Sequence, residues 1–320
     1  KKIDMLFLYF FIILFVFLIF FQFNKQIANF FNVFDKNKIP LIGGLFLFIG
    51  LIINKIYLLN NNLLSIYFVD LFYLMSIFIV ALLDDRFSLD PYFRLIFIVI
   101  TISLFINYEY FFIQTLNFKY FIFFYTPDNN FIKIILPIFC IIVFINAYNF
   151  TDGINCLAIL LGISWFTYLA IKYHFLIEIY FIFFIFMVLF LFLNYKNKSY
   201  LGDSGNYIIS IIIGYLLITI NRTLPNSIYI EEIFLLLIIP GLDLIRLFFI
   251  RIRKKQSPFK GDLNHLHHHL YKKYGLFKTL IIYLTLVNLP MYIFLINEEA
   301  LLFLIFFSII VYFYLIKKHS

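Results

Sequence analysis

Eleven apolar stretches of 16 to 21 residues run almost end to end through this chain, at 3–23, 41–58, 66–83, 92–107, 131–148, 155–171, 175–194, 205–220, 231–250, 278–296 and 300–316. A helix crosses the hydrocarbon core of a bilayer with about 20 residues. Inside that core, every backbone N–H and C=O must find a partner within the protein. The pattern predicts an all-α, polytopic transmembrane helical bundle of about ten or eleven helices, read as one integral membrane domain over 1–320. Composition agrees. The chain is 64% hydrophobic and 13% charged with a mean hydropathy of +1.00, far from the balance of soluble domains. The first stretch is too long for a signal-peptide core and reads as a retained helix. The segment 108–130 is aromatic but broken by Glu109, Asn117, Lys119, Pro127 and Asp128, so it reads as a surface hairpin.

The formal net charge is +8. Such a charge can serve nucleic acid, but here the excess lies between apolar stretches, where Lys and Arg set topology. It also favours an anionic ligand or lipid headgroup, and no nucleic-acid partner is expected. Eleven spans put the two ends on opposite sides. With the C-terminus cytoplasmic, sixteen of the 25 Lys and Arg residues fall in cytoplasmic segments and five on the far side, a clear positive-inside bias. Cys140 and Cys156 lack metal-ligand spacing and read as inert small hydrophobes.

Four polar clusters interrupt the apolar pattern, after the third, fifth, seventh and ninth stretches, all on the cytoplasmic side. Acids, amides and histidines are costly in or beside a bilayer and mark functional candidates. They did not enter the charge count, so their sharing one side is partly independent support for one cytoplasmic cleft. Asp84 and Asp85 are adjacent carboxylates, tolerated where a divalent or substrate cation screens them, or a solvated helix end. Asp90-Pro91 reads as an N-cap followed by the first helical position. Asn146, Asn149 and Asp152 recur every three residues, share a helix face and run into a turn at Asp152-Gly153. They can hold a sugar, base or phosphate, or cap their own helix. Asp203 lies in Gly202-Asp203-Ser204-Gly205, which permits close approach to phosphate at a helix N-terminus or forms an ordinary capped turn.

The fourth cluster is the richest. Arg251, Arg253, Lys254 and Lys255 suit a lipid phosphate, or serve topology alone. His265, His267, His268 and His269 follow with no Cys beside them. The acids elsewhere suit a hard cation better, so these histidines are read as binding phosphate or moving protons near neutral pH. Asp243 and Arg246 stand at i, i+3 as an intramembrane ion pair, unless Arg246 snorkels.

In this order, the clusters closely resemble those of the bacterial polyprenyl-phosphate N-acetylhexosamine-1-phosphate transferases. The resemblance covers nearly the whole chain, from Ile39-Pro40-Leu41-Ile42-Gly43-Gly44 to the histidine loop. It implies an enzyme of the bacterial inner membrane, with its site facing the cytoplasm. Such an enzyme couples a UDP-N-acetylhexosamine to polyprenyl phosphate, releases UMP and requires Mg²⁺, with Mn²⁺ as the alternative. A homodimer is left open. The resemblance further implies that Asp84, Asp85, His265, His267 and His268 are catalytic, and that Asp203 holds metal with Asp84 and Asp85. It assigns Asn146, Asn149 and Asp152 to substrate; Lys38 and the basic Arg251, Arg253, Lys254 and Lys255 are read as further substrate contacts.

Asp243 after Pro240, and Ser257-Pro258-Phe259 before the histidines, resemble the branch using UDP-N-acetylglucosamine. The nearest alternative is the branch that transfers phospho-N-acetylmuramoyl-pentapeptide for peptidoglycan, which usually has Pro directly before its histidine triplet. Three positions depart from the family pattern. Asn155 stands where a second Asp is usual, Asn206 where Ser is usual, and Asp35-Lys36-Asn37-Lys38 shortens a loop that normally carries Arg-Lys-x-His. A secondary transporter is the rival from another class. It would place polar residues near the midplane in discontinuous helices, whereas these sit at span ends. An inactive scaffold would not need acids in all four clusters.

Overall fold

The computed structural model describes residues 2–61, 68–106, 116–120, 130–224, 227–257 and 262–319, and the side chains of all these except 2–6, 68–72, 105–106, 130–134 and 319. Most of the expected hairpin at 108–130, and Pro258-Phe259 of the run before the histidines, lie outside the described residues. Eleven α-helices occur among the described residues: α1 (Lys2–Phe31), α2 (Gly43–Asn60), α3 (Phe68–Phe87), α4 (Pro91–Ile106), α5 (Asn130–Asn149), α6 (Leu157–Lys172), α7 (Phe175–Tyr195), α8 (Gly202–Thr223), α9 (Ile230–Arg253), α10 (Leu266–Ile296) and α11 (Leu301–His319).

Each of these helices overlaps one predicted stretch, and seven of them are long and apolar enough to cross a membrane. The protein is an all-α, multi-pass membrane protein. The clearest difference from the predicted spans is α10, which begins twelve residues before 278 and takes in His267, His268 and His269. Lys272, Lys273 and the histidines hide this part from a hydropathy reading. Gly275, at φ 72 and ψ 178, separates it from the apolar part.

The helices form two compact units, one of residues 1–97 with 169–209, the other of 98–168 with 210–320. In the first, α2 packs on α7. Phe46 meets Phe186 at 4.9 Å and Phe20 at 5.1 Å between ring centroids. Asn54 on α2 is 1% exposed, which is expensive for an amide unless it is bonded. Its partners come from a break in α7 at Tyr180 (φ −122, ψ 15). Asn54 donates to Ile179 O at 2.8 Å and accepts from Phe183 N at 3.4 Å, satisfying backbone groups beside the break.

In the second unit, α9, α10 and α11 pack on one another and α5 packs on α9. Trp165 of α6 is fully buried and stacks on Phe144 of α5 at 5.5 Å. Tyr148 binds Ala158 O across the α5–α6 turn. That turn carries Asp152 and Gly153.

Candidate active site

The acids belong to the first unit. Asp90 accepts from Tyr92 N at 2.8 Å and starts α4 at Pro91, as the sequence predicts. This start points Arg94, one turn on, at the end of α3. Its guanidinium binds Asp84 at 2.5 Å, lies 3.7 Å from Asp203 and also hydrogen-bonds Tyr207. Asp84 is 4% exposed and also accepts from Leu89 N at 2.7 Å. Its carboxyl touches that of Asp203.

Asp84 lies one residue past the apolar stretch 66–83. Its carboxyl is pushed up to about 7, first by burial, then by the hydrogen bond to Asp203 and that group's charge, with Arg94 and Leu89 N–H opposing. Asp85 faces elsewhere. It accepts from Asp203 N at 2.7 Å, Ser204 N at 3.1 Å and Ser204 Oγ at 2.5 Å, and so binds the first N–H groups of α8. Gly202 (φ +72) lies so close that a Cβ there would sit 2.8 Å from Asp85 Oδ2. Burial raises the Asp85 carboxyl as well, with Asp203 second.

Among the described residues, no three His, Cys, Asp or Glu side chains converge as ligands for one metal ion. The three expected acids split into a facing pair, Asp84 with Asp203, and a helix anchor, Asp85. The pair still fits a hard divalent cation. Mg²⁺ takes one or two carboxylates with phosphate and water, Asp203 is about one-third exposed, and a crowded carboxyl near 7 is what a cation would relieve.

The amides and histidines belong to the second unit. Asn146 bonds back to Ile142 O at 2.8 Å. The α5 end closes through Thr151 N to Tyr148 O and Asp152 N to Asn149 O, leaving Asp152 and Gly153 exposed. Gly153 is pressed against the histidines: a Cβ there would lie 2.1 Å from His267 Nε2 and 2.6 Å from His268 Nε2. The rings of His265 and His267 stack at 5.4 Å and 11°, and His268 lies 4.2 Å from His267. His267 is 1% exposed, and neither of its ring nitrogens has a hydrogen-bond partner among the described residues.

His265 Nδ1 lies 3.1 Å from Asp243 Oδ2, which also accepts Leu266 N at 3.0 Å and so holds the start of α10. Arg246 binds Asp243 at 2.7 Å, so the i, i+3 pair forms.

The basic residues divide. Arg253, Lys254 and Lys255 are exposed. Arg251 is buried, bonds Asp262 at 3.1 Å and lies over the ring of Phe150, which itself packs on His265. Arg251 therefore braces the histidine loop. In the first unit Lys38 is exposed, in a turn closed by Asp35, whose Oδ1 accepts Asn37 N and Ile39 N.

Sequence reasoning missed Arg94, Ser204 and Tyr312. The first had a readable signal, an arginine inside an apolar stretch. The tyrosine had none, since the chain holds 24 tyrosines.

The fold and these clusters define a multi-pass helical membrane protein with acid, amide and histidine groups at helix ends. Residues 67–221 match the model of glycosyl transferase family 4, in line with the motif order. The chain is similar to proteins named undecaprenyl-phosphate alpha-N-acetylglucosaminyl 1-phosphate transferase. The Salmonella typhi protein is 29% identical over 145 residues, 42% of this chain and 39% of that protein. The Escherichia coli K12 protein is 28% identical with the same coverage. The Haemophilus influenzae protein is 25% identical over 265 residues, 76% of this chain and 73% of the relative. The first two matches thus span about two fifths of those relatives' length.

Proposed function

We propose that this chain transfers N-acetylglucosamine-1-phosphate from its UDP conjugate to undecaprenyl phosphate, releasing UMP, on the cytoplasmic face of a bacterial inner membrane. This would open the synthesis of a lipid-linked glycan. The observation that carries the reading is the contact of Asp84 with Asp203 beside Arg94, two carboxylates from separate motifs gathered at the start of α8. The family match over 67–221 and the names of the relatives support it.

The reaction is phosphoryl transfer, in which positioning and charge neutralisation dominate. A lipid phosphate oxygen attacks the β-phosphorus of the UDP-sugar. The bond from that phosphorus to the bridging oxygen breaks, and UMP leaves with the electron pair. Asp84 and Asp203 would hold Mg²⁺ or Mn²⁺, which when bound withdraws charge from the diphosphate. Asp85 fixes the start of α8 and with it Asp203. Arg94 balances the acid pair. His265, with Nδ1–H directed to Asp243, keeps Nε2 as a proton acceptor. The unpartnered His267 gains a partner when it meets a phosphate oxygen. Asn149 and Asp152 bind the nucleotide sugar beside these rings.

The test is to supply the protein in liposomes with undecaprenyl phosphate, Mg²⁺ and a panel of UDP-sugars, and to follow UMP and lipid product. UDP-sugar carried intact across the bilayer, with no UMP, would make the protein a transporter instead.

A pH dependence follows from Asp84. Its raised carboxyl is protonated below about 7, and a proton there competes with a cation. Affinity must therefore fall as pH falls. From pH 8 to pH 6 the Mn²⁺ dissociation constant, read by electron paramagnetic resonance, should rise about tenfold for one displaced proton. Asp84→Asn should flatten the slope. Equal affinity at both pH values would remove Asp84 from the metal site.

The exposed Arg253, Lys254 and Lys255 attract anionic lipid with roughly 1 kcal/mol per charge. Changing all three to Gln, with the buried Arg251 left intact, should raise KM for undecaprenyl phosphate more than KM for the UDP-sugar. Equal weakening of both substrates would place the lipid phosphate elsewhere.

A further inference from the structure

We propose that Tyr312, on the last helix, is a positioning residue that acts through Asp243 to fix the imidazole of His265. Its kinetic consequence rests on the transferase reading above; its structural consequence does not.

Most of α11 faces outward, with Phe303, Phe306, Ile310 and Tyr314 exposed. Two hydroxyls are buried. Ser308 spends its own on the Leu304 carbonyl one turn back, at 2.8 Å. Tyr312 is 0% exposed, and its hydroxyl donates to Asp243 Oδ1 at 2.7 Å and accepts from Arg246 Nε at 2.8 Å. A chain with 48 phenylalanines has no need of a hydroxyl merely to fill space at this position.

The acceptor count explains the use of that hydroxyl. An ionised carboxylate has about four lone-pair sites. Asp243 fills them with Tyr312 and Arg246 on Oδ1 and with His265 Nδ1 and Leu266 N on Oδ2. His265 therefore carries a proton on Nδ1, and in the neutral ring Nε2 is then the acceptor. Such an outer partner fixes both tautomer and ring orientation. Without the hydroxyl, Oδ1 keeps only Arg246, and Arg246 Nε loses its acceptor. The fork of Arg246 then gains by taking both carboxylate oxygens, which draws Oδ2 away from His265.

The test is Tyr312→Phe, which keeps the ring and its packing, with Ser308→Ala as the control for a buried α11 hydroxyl. Two readouts are taken. The first is UMP release: kcat should fall about tenfold with KM for the UDP-sugar unchanged, and Tyr312→Phe should add nothing in a His265→Ala background. The second needs no activity. Diethyl pyrocarbonate labelling of His265, read by mass spectrometry against the exposed His174, should quicken severalfold in Tyr312→Phe and stay unchanged in Ser308→Ala. Unchanged labelling of His265 overturns the proposal, as does an undiminished effect of Tyr312→Phe in the His265→Ala background. If the unaltered protein releases no UMP, the transferase reading fails, and the labelling still decides the positioning.

Discussion

Asp203→Asn should cut turnover by roughly 10²–10³-fold, the equivalent of losing several kcal/mol of transition-state stabilisation, and leave the protein folded. The fold is spared for a local reason. What Asp203 gives to the start of α8 is its backbone N–H, bonded to Asp85 at 2.7 Å, and Asn keeps that donor. The side chain contributes charge, in contact with Asp84 and 3.7 Å from Arg94. An amide of nearly the same shape removes the charge and little else. Asp84 then loses a neighbour that raises its carboxyl, so it ionises more readily and pairs with Arg94 alone, leaving one carboxylate for the cation. The measurement is UMP release beside a thermal melt. Turnover near that of the unaltered protein, or turnover that survives excess EDTA, would show that the acid pair holds no essential ion.

The class of fold was legible because the bilayer favours long apolar helices, and the chain carries eleven apolar stretches, seven of them within described helices long and apolar enough to cross. Helix ends were less legible. The start of α10 is polar and basic and mimics a loop, although Asp243 caps it through Leu266 N. The division into two units left no trace in hydropathy, because both are built of similar apolar helices. The candidate acids, amides and histidines could be read as residue types, since charged and polar groups stand out in an apolar chain. Their duties could not. Asp84 and Asp85 are neighbours in sequence, yet one meets Asp203 and the other the α8 backbone. Arg251 sits in the same basic run as Arg253 and is buried where Arg253 is exposed. Such differences depend on long-range partners such as Asp262 and Phe150, which spacing does not encode. The Asp243–Arg246 pair was readable because its geometry is local, one helical turn.

Gly153→Ala is the companion test in the second unit, and it should lower kcat by roughly 10²-fold, the effect expected when reacting groups move by about 1 Å. Gly153 does not have a positive φ, so alanine suits the backbone and the effect is steric alone. The new methyl would sit 2.1 Å from His267 Nε2 and 2.6 Å from His268 Cε1, closer than any real contact. The imidazoles have little freedom to retreat. His267 is 1% exposed, stacks on His265, lies 4.2 Å from His268 and has the ring of Tyr283 at 6.2 Å. Either the rings turn or the Asp152-Gly153 turn lifts away with its amides. Both outcomes separate groups that the proposed reaction needs together. The overpacking itself should cost about 1–3 kcal/mol of stability, visible as a lowered melting temperature. A variant that melts lower but turns over at the original rate would mean that the histidines do their chemistry without the turn, and the substrate roles given to Asn149 and Asp152 would fall with it.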